Sequence, residues 1–218
     1  MRTLSSSLVF ALVLGAASAA FAQESPGTRA FNVDPAASSV HIRVFRAGVL
    51  SALAHDHVIN AVGIAGRVLY DPAAVTRSSL QLSIPVGSLV VDHPDDRQQE
   101  GLDGTLDEDD IAEIRAIVLS RDYLDEAQYP RVVITTVSVQ GELPLLSVGL
   151  NVRIRQVGKM YTVPVQVTLE GGLLRATGEM YLNHSDFGMK PYRALLGAIA
   201  VQDPVLVKFA IVASEQLP

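Results

Sequence analysis

The sequence predicts an all-β domain of about eight mostly antiparallel strands, closed as a barrel or packed as a sandwich, with a helical insertion after the third strand. Three observations carry this. Apolar and polar residues alternate with period 2 along most of the chain, turn residues separate the alternating runs, and one stretch changes to helical spacing. With 49% hydrophobic and 18% charged residues, the composition can fill a sizeable core and lies far from the disordered class.

Val40, Ile42 and Val44 alternate with His41, Arg43 and Phe45 in the first strand. Residues 57–71 read as a second, with Gly63 and Gly66 suited to a bend or bulge. In the third, Leu80, Leu82, Ile84 and Val86 alternate with Gln81, Ser83, Pro85 and Gly87, and Pro85 argues for an edge or a bulge because it cannot donate to a ladder. Leu106, Ile111, Ile114 and Val118 then fall near helical spacing. Residues 106–119 therefore read as a helix capped by Thr105 or Asp103, with Glu108 and Asp109 near its positive end. A short turn over residues 123–128 stops at Tyr129-Pro130, since the residue before proline avoids the helical region.

Five strands follow, at 132–140, 145–155, 160–170, 173–183 and 204–214, and Glu170-Gly171-Gly172 marks a tight hairpin. Tyr161, Val163, Val165, Val167 and Leu169 face one way, against Thr162, Pro164, Gln166, Thr168 and Glu170. The inward set comprises Val148, Leu150, Val152, Ile154, Val163, Val165, Val167, Met180, Leu182, Val205, Val207, Phe209 and Ile211. Such a face either fills a core or, in an eight-stranded barrel, lines a space just wide enough for one small or elongated ligand.

A charged Met1-Arg2 start, an apolar run from Leu8 to Leu14 and the small-residue exit Ala20-Phe21-Ala22 form a secretory signal peptide over residues 1–22. The run is too short to span a bilayer, so the expected mature chain, one domain over residues 23–218, is periplasmic or secreted and carries no transmembrane segment. Loss of Arg2 takes the formal charge from −6 to −7, with 16 basic against 23 acidic residues, a balance that repels phosphate backbones and anionic lipid headgroups alike and argues against nucleic acid as a partner. Zero cysteines exclude disulfides, thiolate metal sites and a cysteine nucleophile together.

Two imidazoles in Ala54-His55-Asp56-His57 would share one face of a strand, where His55 and His57 can bind Zn²⁺ or Cu²⁺ with a third ligand from His93, His184, Asp56 or the acidic loop 92–96. The plainer reading is a polar rim cluster. No G-x-S-x-G elbow, P-loop or G-x-G-x-x-G occurs, and Ser185-Asp186 beside His184 is only a neighbour set, so the expectation is a non-enzymatic protein. The acids Asp107 to Asp110 and Glu113 fan around the helix as a solvated face.

Several strings, spread over nearly the whole mature chain, resemble the YceI-like family of exported lipocalin-like proteins that bind polyisoprenoid lipids. Phe31-Asn32-Val33-Asp34-Pro35 with Ser38-Ser39-Val40 resembles its opening strand, and Asp122-Tyr123-Leu124-Asp125 through Tyr129-Pro130 its D-F-[FL]-[DN]-x-x-x-Y-P signature. Asp186-Phe187-Gly188-Met189 is similar to its D-F-G-[IM] turn, and Asp203-Pro204-Val205 to its D-x-V. The family's central G-x-L-T-[IV]-x-G-x-T is represented by Gly149-Leu150-Asn151-Val152-Arg153, with both threonines missing. The resemblance implies an eight-stranded lipocalin-like barrel holding an amphiphilic isoprenoid lipid or quinone. Its lumen would be formed by Val148, Leu150, Val152, Tyr161, Val163, Val165, Val167, Met180, Leu182, Val207 and Phe209. The alternative, from a different class, is a metal-binding or redox-associated periplasmic protein built on His55 and His57.

Intact-mass measurement of exported protein is expected to show a chain beginning at Gln23; retention of Met1 and Arg2 would refute the leader.

Overall fold

Strand alternation accounts for nearly every element of the computed structural model, which describes residues 27–102 and 104–216. The expected leader and Asp103, one of the two expected helix caps, lie outside the described residues. In chain order the strands are β1 (Arg29–Val33), β2 (Ser39–Ala47), β3 (His57–Ala61), β4 (Ala65–Tyr70), β5 (Ser79–Pro85) and β6 (Leu89–Val91). Helices α1 (Pro94–Gln99) and α2 (Glu108–Leu119) come next, followed by β7 (Arg131–Glu142), β8 (Leu145–Ile154), β9 (Val157–Glu170), β10 (Leu173–Asn183), β11 (Arg193–Ala194) and β12 (Ile199–Glu215).

The first six strands are collinear halves of three. Val33 of β1 lies opposite Ala213 and Ser39 of β2 opposite Ala210, so both halves run along one edge of β12. Between them Asp34 Oδ1 accepts the amides of Ala36 and Ala37 at 2.9 and 3.2 Å, which tightens the interruption into a turn. β3 pairs with β2 and β4 with β1; β5 pairs with β4 and β6 with β3. Counted this way the sheet has eight strands. They close in a ring because β7, β8, β9, β10 and β12 follow antiparallel and β12 returns to β1. Two-residue β11 pairs with the start of β12.

The single strand expected over residues 57–71 is therefore broken, at Gly63, whose φ of 70° admits the bend. Gly66 has another role: inside β4, a Cβ there would run into the carbonyl oxygen of Gln81 on β5. Pro85 ends β5 where a 3₁₀ turn at Val86–Ser88 separates it from β6. The last strand starts at Ile199 rather than at residue 204, with a register shift between Val201 and Val205 that accommodates Pro204, which has no N–H for the ladder. Gly171 and Gly172, both at positive φ, make the expected hairpin between β9 and β10.

The helical insertion follows the third composite strand, where β7 pairs with β5 while β6 pairs with β3. α2 sits there. Its Arg115 donates to the carbonyls of Leu89 and Gly87 at 3.2 and 2.7 Å, and Ile111, Ile114 and Val118 pack on the core. The helix begins at Glu108, two residues later than expected, because Asp107 is the extended N-cap whose carbonyl accepts from the Ile111 amide at 3.0 Å. Leu106 is thereby released from the helix.

α1, read from sequence as an acidic loop, lies on the outer face of β2 and β3. His41 points outward yet is buried beneath it, with Nε2 3.3 Å from Asp96 Oδ1 and Nδ1 3.5 Å from Glu100 Oε1. Asp92, at a φ of 50° and almost fully buried, is the anchor. Its carboxylate accepts from His57 Nδ1 at 2.7 Å, the Val58 amide at 3.0 Å and Arg97 Nη1 at 2.8 Å. Burial alone would raise the Asp92 carboxyl, but these donors outweigh it and hold it below the ordinary carboxylate range.

A depressed folded pKa contributes stability that is present above the unfolded pKa and lost as pH falls through the folded one. Asp92→Asn keeps a residue tolerant of positive φ while removing the charge. It is expected to destabilise the protein by about 3 kcal/mol near neutral pH in denaturant titration, because the buried carboxylate charge opposite Arg97 is lost. The difference from wild type should shrink at acid pH, where Asp92 is itself protonated; a pH-independent difference would refute the charge account.

Candidate functional site

Ring closure leaves an apolar cavity of about 590 Å³ inside the barrel, within the 300 to 1,000 Å³ common for small-molecule sites. Each strand places alternate side chains on its wall: Val148, Leu150, Val152 and Ile154 from β8, Val165 and Val167 from β9, and Met180 and Leu182 from β10. Val205, Val207, Phe209 and Ile211 of β12 continue it. The opposite wall comes from elements the sequence reading left out of the site, namely Val40 and Ile42 of β2, Ile59 of β3, Val68 of β4, Leu82 of β5 and Ile134 of β7. Their period-2 alternation was the available signal. α2 adds Ile114, Ile117 and Val118, and Leu106 joins them.

Nine of the eleven expected lumen residues line the cavity; Tyr161 and Val163 do not. Val163 faces inward and is completely buried in packed core. Tyr161 lies beyond the last β9–β10 pair, Val165 with Gly178, next to which Pro164 offers no N–H to extend the ladder. Phe187 fills that parting, its ring centroid 6.5 Å from that of Tyr161. The Tyr161 hydroxyl donates to Asp186 Oδ2 at 3.1 Å, as does Asn183 Nδ2, so Tyr161 seals a seam rather than lining the lumen. Burial and this bond push its phenol well above the usual range.

The histidines and asparagine of the wall gather at one level. Val44 is opposite both His57 and Val205, and Val205 is opposite Leu182, so His57, Asn183 and His184 approach the cavity from the same end. His55, Tyr192, Asp110 and Glu113 also line it, the two acids from exposed positions on α2. This corrects the expectation of a wholly solvated acidic face. Among the described residues, no lysine or arginine lines the cavity.

His55 precedes β3, so the two imidazoles do not share a strand face as the alternation implied. Their expected partners are engaged elsewhere. Asp92 binds His57, Asp56 accepts from Arg43 Nη2 at 3.1 Å and the Arg46 amide at 2.9 Å, and His93 caps α1. His184 Nδ1 meets the Asp203 carbonyl at 2.8 Å. Among the described residues, no group of three or more His, Asp or Glu is arranged to hold a metal ion. Ser185 Oγ donates to Asp203 Oδ2 at 2.5 Å and its amide to Oδ1 at 2.8 Å, which makes this neighbour set a turn lock before β12. No helix among the described residues is long and apolar enough to cross a membrane.

The fold is shared with solved structures. Burkholderia cenocepacia BcnA superposes with a TM-score of 0.63 at 21% identity, covering 84% of this chain and 99% of that one. A polyisoprenoid binding domain from Saccharophagus degradans, implicated in plant cell wall breakdown, gives 0.56 at 12% identity over 85% and 98% of the two chains. A Campylobacter jejuni YceI protein gives 0.53 at 11% identity over 73% and 85%. Identities this low speak for the fold alone, and a search of curated proteins finds no match. The family model for the YceI-like domain, however, matches residues 31–213, from β1 almost to the end of β12, and the chain belongs to that family.

Proposed function

We propose that this is a non-enzymatic, periplasmic or secreted binding protein that holds an isoprenoid lipid with an uncharged head, a polyisoprenoid or isoprenoid quinone, in the barrel cavity. The observation that carries the proposal is the cavity wall itself: aliphatic over most of its length, with histidine and asparagine gathered at one end and no cation. Each methylene withdrawn from water contributes about 0.8 kcal/mol, so a long tail binds without a reactive group. The S. degradans neighbour, described as polyisoprenoid binding, supports the tail chemistry, and the leader-like residues 1–22 support export.

The head follows from electrostatics. A phosphate is recognised by arginine, lysine or clustered amides, whereas here Asp110 and Glu113 would repel it. His57, its Nδ1 fixed by Asp92, has Nε2 left as its second polar atom, suited to a hydroxyl or a quinone carbonyl.

Mass spectrometry of organic extract from natively purified protein is expected to show an isoprenoid, and in titrations a prenyl alcohol should bind at least about tenfold more tightly than the prenyl phosphate of equal length, roughly 1.4 kcal/mol. Equal or tighter phosphate binding would refute the uncharged head.

Val165→Phe tests the lumen. In an open cavity the ring occupies ligand space, so ligand-free stability should stay within about 1 kcal/mol of wild type while prenyl alcohol affinity falls; overpacking of a filled core would instead cost about 1–3 kcal/mol. A strongly destabilised variant whose folded fraction binds normally would sink the assignment.

A further inference from the structure

We infer that two turns beside the polar end of the cavity form a docking tip for a lipid bilayer bearing anionic headgroups. The inference rests on the lipid-binding reading and adds the surface across which such a ligand would be exchanged.

The first turn follows β2 and the second precedes β12. They are locked together by backbone: the Leu50 amide donates to the Ala198 carbonyl at 2.9 Å, and a Cβ on Gly48 would collide with that same carbonyl. The turns hold their apolar side chains away from the protein. Val49 is 90% exposed, Leu195 67%, and Leu196 fully so. Leu195 and Leu196 both adopt left-handed backbone, with φ of 48° and 58°, which costs energy in a non-glycine residue and persists only where the surroundings impose it. Four exposed large hydrophobics, with Leu50 the fourth, thus share one projection, whereas Val137, Leu145 and Met160 are exposed singly on strands elsewhere.

Charge points to the occupant. The chain carries 23 acidic and 17 basic residues, yet residues 43–55 and 188–202 contain no acid and supply Arg43, Arg46, Lys190 and Arg193. Arg43 and Arg46 both pair with Asp56, just past the first window, so the cations that remain are Lys190 and Arg193, exposed beside the apolar pair. Leucine and valine flanked by cations is the composition that enters the headgroup boundary of an anionic bilayer. Asp110 and Glu113 on α2 are the nearest acids on the cavity wall and would oppose the attraction. The tip is continuous with the lumen, because Ala54, His55, Tyr192 and Ile199, which adjoin the turns in sequence, line the cavity.

The test is co-sedimentation with vesicles of phosphatidylglycerol and phosphatidylethanolamine, against pure phosphatidylcholine, for wild type, Leu195→Asn with Leu196→Asn, and Lys190→Glu with Arg193→Glu. Asparagine tolerates left-handed backbone, so the first variant is expected to keep the wild-type melting temperature or exceed it. Partitioning onto anionic vesicles should fall about tenfold or more in the first variant, and in the second to the level wild type shows at high salt. Both should bind a prenyl alcohol in vesicle-free titration as wild type does. Wild type that fails to sediment with anionic vesicles, or a leucine variant that sediments equally, overturns the docking tip. Loss of prenyl alcohol binding in the leucine variant also overturns it, by making those residues part of the lumen. Failure of wild type to bind prenyl alcohol refutes the cavity reading instead.

Discussion

β12 is the strand on which the architecture depends, because both of its edges are occupied along most of its length. β10 pairs with it from Leu173 opposite Ser214 to Asn183 opposite Pro204, while β2 and then β1 occupy the other edge. A chain without cysteine has no covalent means of holding its ends, and here the first and last strands meet as neighbours in the ladder. Phe31 and Ala213, both completely buried, fill the junction. On the same face, at the end of β1, Arg29 grips Glu215 with two bonds of 2.6 and 2.5 Å and stacks over Phe31. A part-exposed pair adds little stability, so this contact specifies where the ends meet while burial supplies the energy.

Closure alone does not explain an open lumen, since eight strands enclose barely more than their own side chains. Interruptions at residues 34–38, 62–64 and 86–88 come at neighbouring positions in the first three composite strands, and beyond them the helical insertion meets the ring. α2 then sits beside β6 and supplies Ile114, Ile117 and Val118 as wall.

The strand pattern was legible because period-2 alternation is a property of the pleat and survives any ring geometry. It gave the strand count, the hairpin at Gly171-Gly172 and the bend at Gly63. It missed α1, whose six residues are too few to show a helical period and whose ordering comes from Asp92, Arg97 and His57 across the chain. For the site, alternation says which residues face inward but not how far the facing wall stands. Val163 and Val165 are equivalent in sequence, yet one is packed shut and the other borders open space. Tyr161 was misplaced for a related reason: the β9–β10 ladder stops at Val165 and Gly178, beside Pro164, and beyond that point Phe187 from the turn after β10 packs against the Tyr161 ring, a tertiary contact that alternation does not encode.

Three polar side chains of the cavity wall, and Asp56 between His55 and His57, are committed to protein partners before any ligand arrives. His57 is tied to Asp92, His184 to the Asp203 carbonyl, Asn183 to Asp186, and Asp56 to Arg43 and the Arg46 amide. A nucleophile needs a base free to take its proton, and a metal needs ligands free to converge; these side chains are instead held in fixed orientations by neighbours that are themselves anchored in the ladder. Such preorganisation suits recognition, in which a few oriented polar atoms fix one end of a ligand and the aliphatic wall supplies the affinity. The wall's charge is one-sided in the same way: Asp110 and Glu113 line it and, among the described residues, no lysine or arginine does, so its electrostatics disfavour an anionic group.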